Sequence, residues 1–271
     1  MKFLIILGSP RRNGHTAALL EPFAARLKEL KAETEQVTLA DLRILPCKGC
    51  GHCQNVQDEY GCLIDDDMTF VADKIREADC IVLATPIYSW YCTAEMKALL
   101  DRHYGLNKYY GTATGSLWAG KALALITTHG YGDAYANSPL EDGIQRLCKH
   151  SNLKYLGRCS ARDLGNDEAF LTQEAAAKAR DFAEKLVRLS AEAGLNTAEV
   201  VLEGNRFHDL DEFTEEIERL LKNAAQDRAL TVRWHDFTQS LRVLGQSNAE
   251  ALICLMESSR PEGGCVVNTK D

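Results

Sequence analysis

Residues Lys2–Leu7, KFLIIL, run directly into Gly8–Thr16, GSPRRNGHT, and this junction decides the fold. A near-continuous apolar run is the pattern of a parallel strand buried on both faces. After the polar stretch, Leu19, Leu20, Phe23, Leu27 and Leu30 recur at helical spacing, with Pro22 expected to kink the helix. The unit therefore reads strand, tight loop, helix. Its loop lies against the helix N-terminus, where free N–H groups and the positive end of the dipole favour an anion. Gly8 and Gly14 allow tight turning, and Ser9, Asn13 and Thr16 offer neutral hydrogen bonds. Arg11 and Arg12 add charge that pairs with phosphate. The stretch has neither the GK[ST] ending of a nucleotide-hydrolysing loop nor GxGxxG. The plainer alternative is a polar turn capped by Asn13 or Thr16.

Working outward, the alternation repeats. Glu35–Leu42 reads as a second strand and Cys80–Pro86, CIVLATP, as a third. Between them Asp66 or Asp67 caps a helix that turns Met68, Val71, Ile75 and Ala78 inward. Thr93–Gly105 reads as a helix, Lys121–Gly130 as a fourth strand, Pro139–Leu153 as a helix and Lys154–Ala161 as a fifth strand. A last helix spans Glu174–Ala193, with Gly194 as its C-cap. Five strand-helix units with right-handed crossovers imply an α/β fold, a five-stranded parallel sheet covered by helices on both faces; the doubly wound order taken for it is 2-1-3-4-5, whose switch point lies between the first and third strands. Ligands of such sheets sit beyond the carboxyl ends of the strands. On that rim lie the aromatic loop Pro86, Ile87, Tyr88, Ser89, Trp90, followed by Tyr91, and the glycine-rich loop Thr128–Tyr135 with His129, Gly130 and Tyr131. Both suit a flat ring system.

The loop after the second strand carries Cys47, Cys50, Cys53 and Cys62, in CKGCGHCQNVQDEYGC. Two-residue spacers let thiolates wrap one centre, and an all-sulfur set selects an iron-sulfur cluster or zinc; redox-active thiols are the third reading. His52 reads as solvent-facing. Cys80 and Cys254 sit in apolar runs, and Cys92, Cys148, Cys159 and Cys265 have no metal spacing, although Cys92 follows the aromatic loop.

GSPRRNGHT, the cysteine run into DDDM and ATPIYSWYCTAEMKALLDR together resemble the iron-sulfur flavoprotein branch of the NADPH-dependent FMN reductase family, of the flavodoxin-like superfamily. The resemblance implies FMN, with Ser9, Arg11, Asn13, His15 and Thr16 around its phosphate. Pro86–Trp90 and His129–Tyr131 would then border its ring. It also implies a 4Fe-4S cluster on Cys47, Cys50, Cys53 and Cys62, with Cys62 spaced further than is usual. NADPH or NADH is the implied electron donor. A flavin, quinone or iron-sulfur protein is the implied acceptor. Asp101 and Arg102 match a pair that lies at the dimer interface in this family, so a homodimer or homotetramer is expected. The residues alone leave Asp101 and Arg102 as a surface ion pair. The isoalloxazine would carry the chemistry, and no separate catalytic constellation is expected.

The chain has 271 residues, ten cysteines and a formal net charge of −8, which argues against a nucleic-acid partner. Its amino terminus fits neither a signal peptide nor a membrane span, so a cytoplasmic location with reduced or metal-bound thiols is expected. The expected division is residues 1–195 as the FMN-binding domain, with the cysteine-rich loop 47–62, and 196–271 as a small α/β module. That module has strands at Ala198–Gly204 and in ALTVRW, a helix over Leu210–Ala224, and no cluster of catalytic residue types; Trp234, His235 and Asp236 read as packing and surface residues. An interaction or dimer-covering role follows. A redox sensor that uses FMN, the cysteines and this module to report to a partner is the competing function.

Overall fold

The computed structural model describes residues 1–113, 115–165, 170–192, 197–203 and 229–235. The chain divides into two compact units, Met1–Ala193 and Gly194–Asp271. In the first, β1 (Lys2–Leu7), β2 (Glu33–Thr38) and β3 (Cys80–Pro86) precede a short antiparallel pair, β4 (Asn107–Lys108) and β5 (Gly115–Ser116). β6 (Ala122–His129) and β7 (Lys154–Arg162) follow. The main sheet is wholly parallel in the order β2-β1-β3-β6-β7, so its five strands keep the order expected. Helices α1 (His15–Glu29), α2 (Met68–Glu77), α3 (Ala94–Asp101), α4 (Asp133–Ser151) and α5 (Gln173–Glu192) supply the crossovers.

Strand periodicity splits the core in two. Phe3, Ile5 and Leu7 pack with Leu19, Phe23 and Leu27 of α1 and with Phe182 and Leu186 of α5. Leu4 and Ile6 face the other way, onto Val71 and Ile75 of α2 and Leu140 and Ile144 of α4. Since successive side chains alternate between sheet faces, covering both faces requires the apolar run that KFLIIL supplies. Pro22 lies inside α1.

Several boundaries differ from the sequence reading. β2 starts at Glu33 and ends at Thr38, because it pairs residue for residue with β1 from Lys2; Leu39–Asp41 form a 3-10 turn instead. Helix α4 begins at Asp133, six residues before Pro139, which lies inside it. Its first turn is held by Asn137 Nδ2, which donates to the Asp133 carbonyl at 3.0 Å. Tyr135 therefore belongs to a helix rather than to the loop. Helix α3 stops at Asp101, and His103–Gly105 form a separate 3-10 turn. Neither Asn13 nor Thr16 caps α1: Gly14 holds that position without a side-chain bond.

The second unit contributes β8 (Thr197–Glu203) and β9 (Ala229–His235), paired in parallel from Thr197 with Ala229. The helix expected over Leu210–Ala224, Gly194 as a cap, and Cys254, Cys265 and Asp236 lie outside the described residues, as do the side-chain roles of Trp234 and His235. No helix among the described residues is long and apolar enough to cross a membrane.

Candidate functional site

The loop after β1 is drawn tight by Gly8, whose N–H donates to the Ala84 carbonyl of β3 at 2.7 Å. A Cβ on Gly8 would lie 2.7 Å from Met96 Cε and 2.9 Å from Met96 Cβ, so only glycine lets α3 pack this close. Ser9 is buried; its Oγ accepts from the Arg11 amide at 3.2 Å and donates to the Arg11 carbonyl at 3.1 Å. The first N–H groups of α1 have no side-chain cap and so remain available to an anion.

Ser9, Arg11, His15 and Thr16 line one cleft of about 150 Å³ together with Pro86, Ile87 and Tyr88 and with His129 and Gly130. Loops from β1, β3 and β6, far apart in sequence, thus meet where the topology requires. Thr128, the first residue of the glycine-rich loop, and Asp163 complete the lining; Asp163 was missed by the sequence reading. Thr16 Oγ1 and Thr128 Oγ1 are 2.8 Å apart and buried, which spends the Thr16 hydroxyl. His15 Nδ1 lies 3.0 Å from Asp163 Oδ2, and its ring stacks on Phe170 at 4.1 Å. Asp163 also accepts from the Gly165 amide, and that bond holds its carboxyl below the usual range. Its position just past the carboxyl end of the fifth sheet strand, in DLG, was the available signal.

Asn13, Ser89, Trp90 and Tyr131 do not line the cleft. Asn13 is exposed, and Arg12 turns away to pair with Asp41. Ser89 and Trp90 form a two-residue turn with φ of 49° and 62°, closed by mutual Tyr88 and Tyr91 backbone bonds of 2.9 Å. Positive φ at both central positions marks a type I′ turn, which a tryptophan adopts under strain. The turn points Trp90 outward, where its indole stacks on Tyr131 and meets Tyr135 edge-on beside the cleft. His129 is buried, and its Nδ1 lies 3.0 Å from the Tyr131 carbonyl, which fixes that nitrogen as the donor. Its Nε2 lies 3.3 Å from Asp133. Arg158 bonds hold the Asp133 carboxyl far below its ordinary value. Cys92 is buried, and burial pushes its thiol up to about 12, which leaves it unreactive.

The cysteine loop follows β2 onto the same rim. Cys47 and Cys50 are exposed, whereas Cys53 and Cys62 are half-buried, and all four are free thiols. The expected convergence of four sulfurs on one small volume is not formed: among the described residues no group of three or more ligating side chains is placed to hold a metal. Cys47 and Cys50 lie in an exposed stretch that turns through Gly49 and Gly51 at φ of 65° and 70°. Cys53 sits in a 3-10 turn that buried Gln54 anchors to the Asn107 carbonyl at 2.7 Å. His52 is exposed, as expected.

Beneath the loop are two buried cations. Lys108 Nζ donates to the carbonyls of Cys53 at 2.7 Å and Tyr60 at 3.2 Å. Arg102 donates from Nη1 to Asp66 at 2.6 Å and to the Leu45 carbonyl at 3.0 Å, and from Nε to the Tyr60 hydroxyl at 3.1 Å. Its Nη2 has no partner. Arg102 is therefore neither half of a surface pair nor exposed for a subunit interface, and Asp101 pairs with Lys97 instead. The four-thiolate donor set, with Lys108 beneath Cys53, fits an anionic thiolate-bound centre.

Residues 1–141 match the family model described as NADPH-dependent FMN reductase. Over 102 residues the chain is 38% identical to an iron-sulfur flavoprotein of Methanosarcina thermophila, covering 38% of this chain and 52% of the relative. An iron-sulfur flavoprotein of Methanocaldococcus jannaschii is 39% identical over 102 residues, covering 38% and 51%. The chain thus spans about half the length of the curated relatives it matches. The NAD(P)H:quinone oxidoreductase of Methanothermobacter marburgensis superposes with a TM-score of 0.55 at 18% identity, over 69% of this chain and 97% of that one, a likeness of fold. By the match across its first half, the chain belongs to the NADPH-dependent FMN reductase family.

Proposed function

We propose that this protein is an FMN-dependent oxidoreductase that takes electrons from reduced nicotinamide and passes them to a flavin, a quinone or an iron-sulfur acceptor. The observation that carries the reading is the rim cleft, where the uncapped N-terminus of α1, Ser9 and Arg11 face Pro86–Tyr88 and His129–Gly130. At about 150 Å³ the cleft suits the phosphate and its adjoining chain, while the ring rests at the rim beside Tyr88, Trp90 and Tyr131. FMN bound there would supply hydride acceptance and single-electron release. The chain's own groups bind, orient and shield it. The exposed aromatic edge favours a second subunit across the ring, hence a homo-oligomer.

Cys47, Cys50, Cys53 and Cys62, on the loop above Arg102 and Lys108, would be the ligands of a 4Fe-4S cluster. A cluster there would supply one-electron transfer. Anaerobic purification followed by flavin, iron, sulfide and zinc analysis and NAD(P)H oxidation tests both readings. FMN with NAD(P)H turnover supports the oxidoreductase. FMN bound without turnover favours a redox sensor that reports through the carboxyl-terminal unit. Zinc, or metal-free thiols, would remove the cluster.

A further inference from the structure

A second and larger cleft, of about 630 Å³, opens beside the first between β7 and α5, and His129 borders both. Its size lies within the range of small-molecule sites. In a chain of net charge −8 its lining is locally basic: Arg158, Arg162, Lys178 and Lys185 against Asp133 and Asp181. Arg158 is spent on Asp133 and Glu141. Arg162 and Lys185 are not: among the described residues neither has a carboxylate partner. Arg162 Nε donates to the Gly130 carbonyl at 3.0 Å, leaving both Nη groups for another acceptor. Lys178 pairs with Glu174 only in an exposed i,i+4 contact, which is weak and easily exchanged. Lys185 lies over the Phe182 ring, 5.9 Å from its centroid.

We infer that this basic cleft receives the pyrophosphate and adenosine end of the reduced nicotinamide dinucleotide, with Arg162, Lys178 and Lys185 on the phosphates and Asp181 as an acceptor for a ribose hydroxyl. The inference rests on the oxidoreductase reading above and deepens it. With the flavin phosphate in the first cleft and the ring at its rim, a donor whose nicotinamide reaches the ring over His129 and Gly130 carries its phosphates towards Arg162. A guanidinium fork and two ammonium groups form charge-assisted bonds with phosphate oxygens. A local excess of positive charge on an acidic protein also draws the anionic donor to this mouth rather than elsewhere.

The test compares, in the full FMN-loaded chain, kcat/KM for NADPH with that for 1-benzyl-1,4-dihydronicotinamide, which has the reacting ring and no phosphates. The ratio of the two within one variant cancels any disturbance of the flavin cleft. In Arg162→Gln and in Lys178→Gln/Lys185→Gln the ratio is expected to fall about tenfold or more. Inorganic pyrophosphate is expected to compete with NADPH and not with the truncated donor. An unchanged ratio in both variants overturns the inference while the oxidoreductase reading stands. Failure of the wild-type protein to oxidise either donor, with FMN bound, overturns that reading and the inference with it.

Discussion

Arg102 and Asp66 form an ion pair of 2.6 Å whose side chains are 1% and 0% exposed, directly below the loop that carries the four clustered cysteines. Asp66 accepts two further bonds, from the amides of Leu45 at 2.7 Å and Met68 at 3.1 Å, so its charge is fully engaged. Removing one member of such a pair strands the other in low dielectric. Arg102→Ala and Asp66→Asn are each expected to lower unfolding stability by about 3–5 kcal/mol, read from urea denaturation. A loss within the range of a surface pair would show that the site relaxes to admit water.

The same pair sets an acid dependence. Burial pushes the Asp66 carboxyl up, but the Arg102 bond and the two amides outweigh it and hold the group below its ordinary value. Its stabilisation is therefore complete above the unfolded value of about 3.9 and is lost as pH falls through the lower folded value. The gap in stability between wild type and Asp66→Asn is expected to narrow on acidification below about pH 4. A gap that widens there would contradict this sign.

Ser9 and Asn13 separate the buried part of the phosphate loop from its exposed part. Ser9→Ala is expected to weaken FMN by about 1.5–3 kcal/mol, since a donor to a charged group is lost. Asn13→Ala, outside the cleft, is expected to leave the dissociation constant nearly unchanged. Isothermal titration with FMN distinguishes them, and equal losses would place Asn13 on the phosphate.

Gly8→Ala drives a methyl into Met96 at its Cβ as well as its flexible tip. Overpacking of this kind costs about 1–3 kcal/mol. Because the displaced element is α3, whose N-cap Thr93 donates to the Gly8 carbonyl, FMN affinity is expected to fall along with the thermal midpoint. Loss of one without the other would uncouple the loop from the helix.

Trp90 is 41% exposed beside the cleft, whereas Trp118 is 3% exposed in the core. FMN is expected to quench Trp90 emission strongly on titration, and Trp90→Phe to remove most of that quenching. Quenching that survives the substitution would put the ring away from the Ser89–Trp90 turn.

The sequence by itself determined the parallel sheet and the three loops that gather at its rim. Those follow from local facts: strands buried on both faces must be apolar throughout, and parallel neighbours need helical crossovers, so β1, β3 and β6 could be read from KFLIIL, CIVLATP and KALALITTHG. Tertiary structure decided what each rim residue does. His15 meets Asp163 across 148 positions, Thr16 meets Thr128 across 112, and Arg102 meets Asp66 across 36, separations to which local periodicity is blind. The same holds for Trp90, whose outward direction comes from a two-residue turn of positive φ, and for the cysteines. Spacing brings four thiols onto one loop, but burial under Gln54 and exposure around Gly49 and Gly51 divide them, because backbone hydrogen bonding rather than sequence distance sets where each sulfur lies.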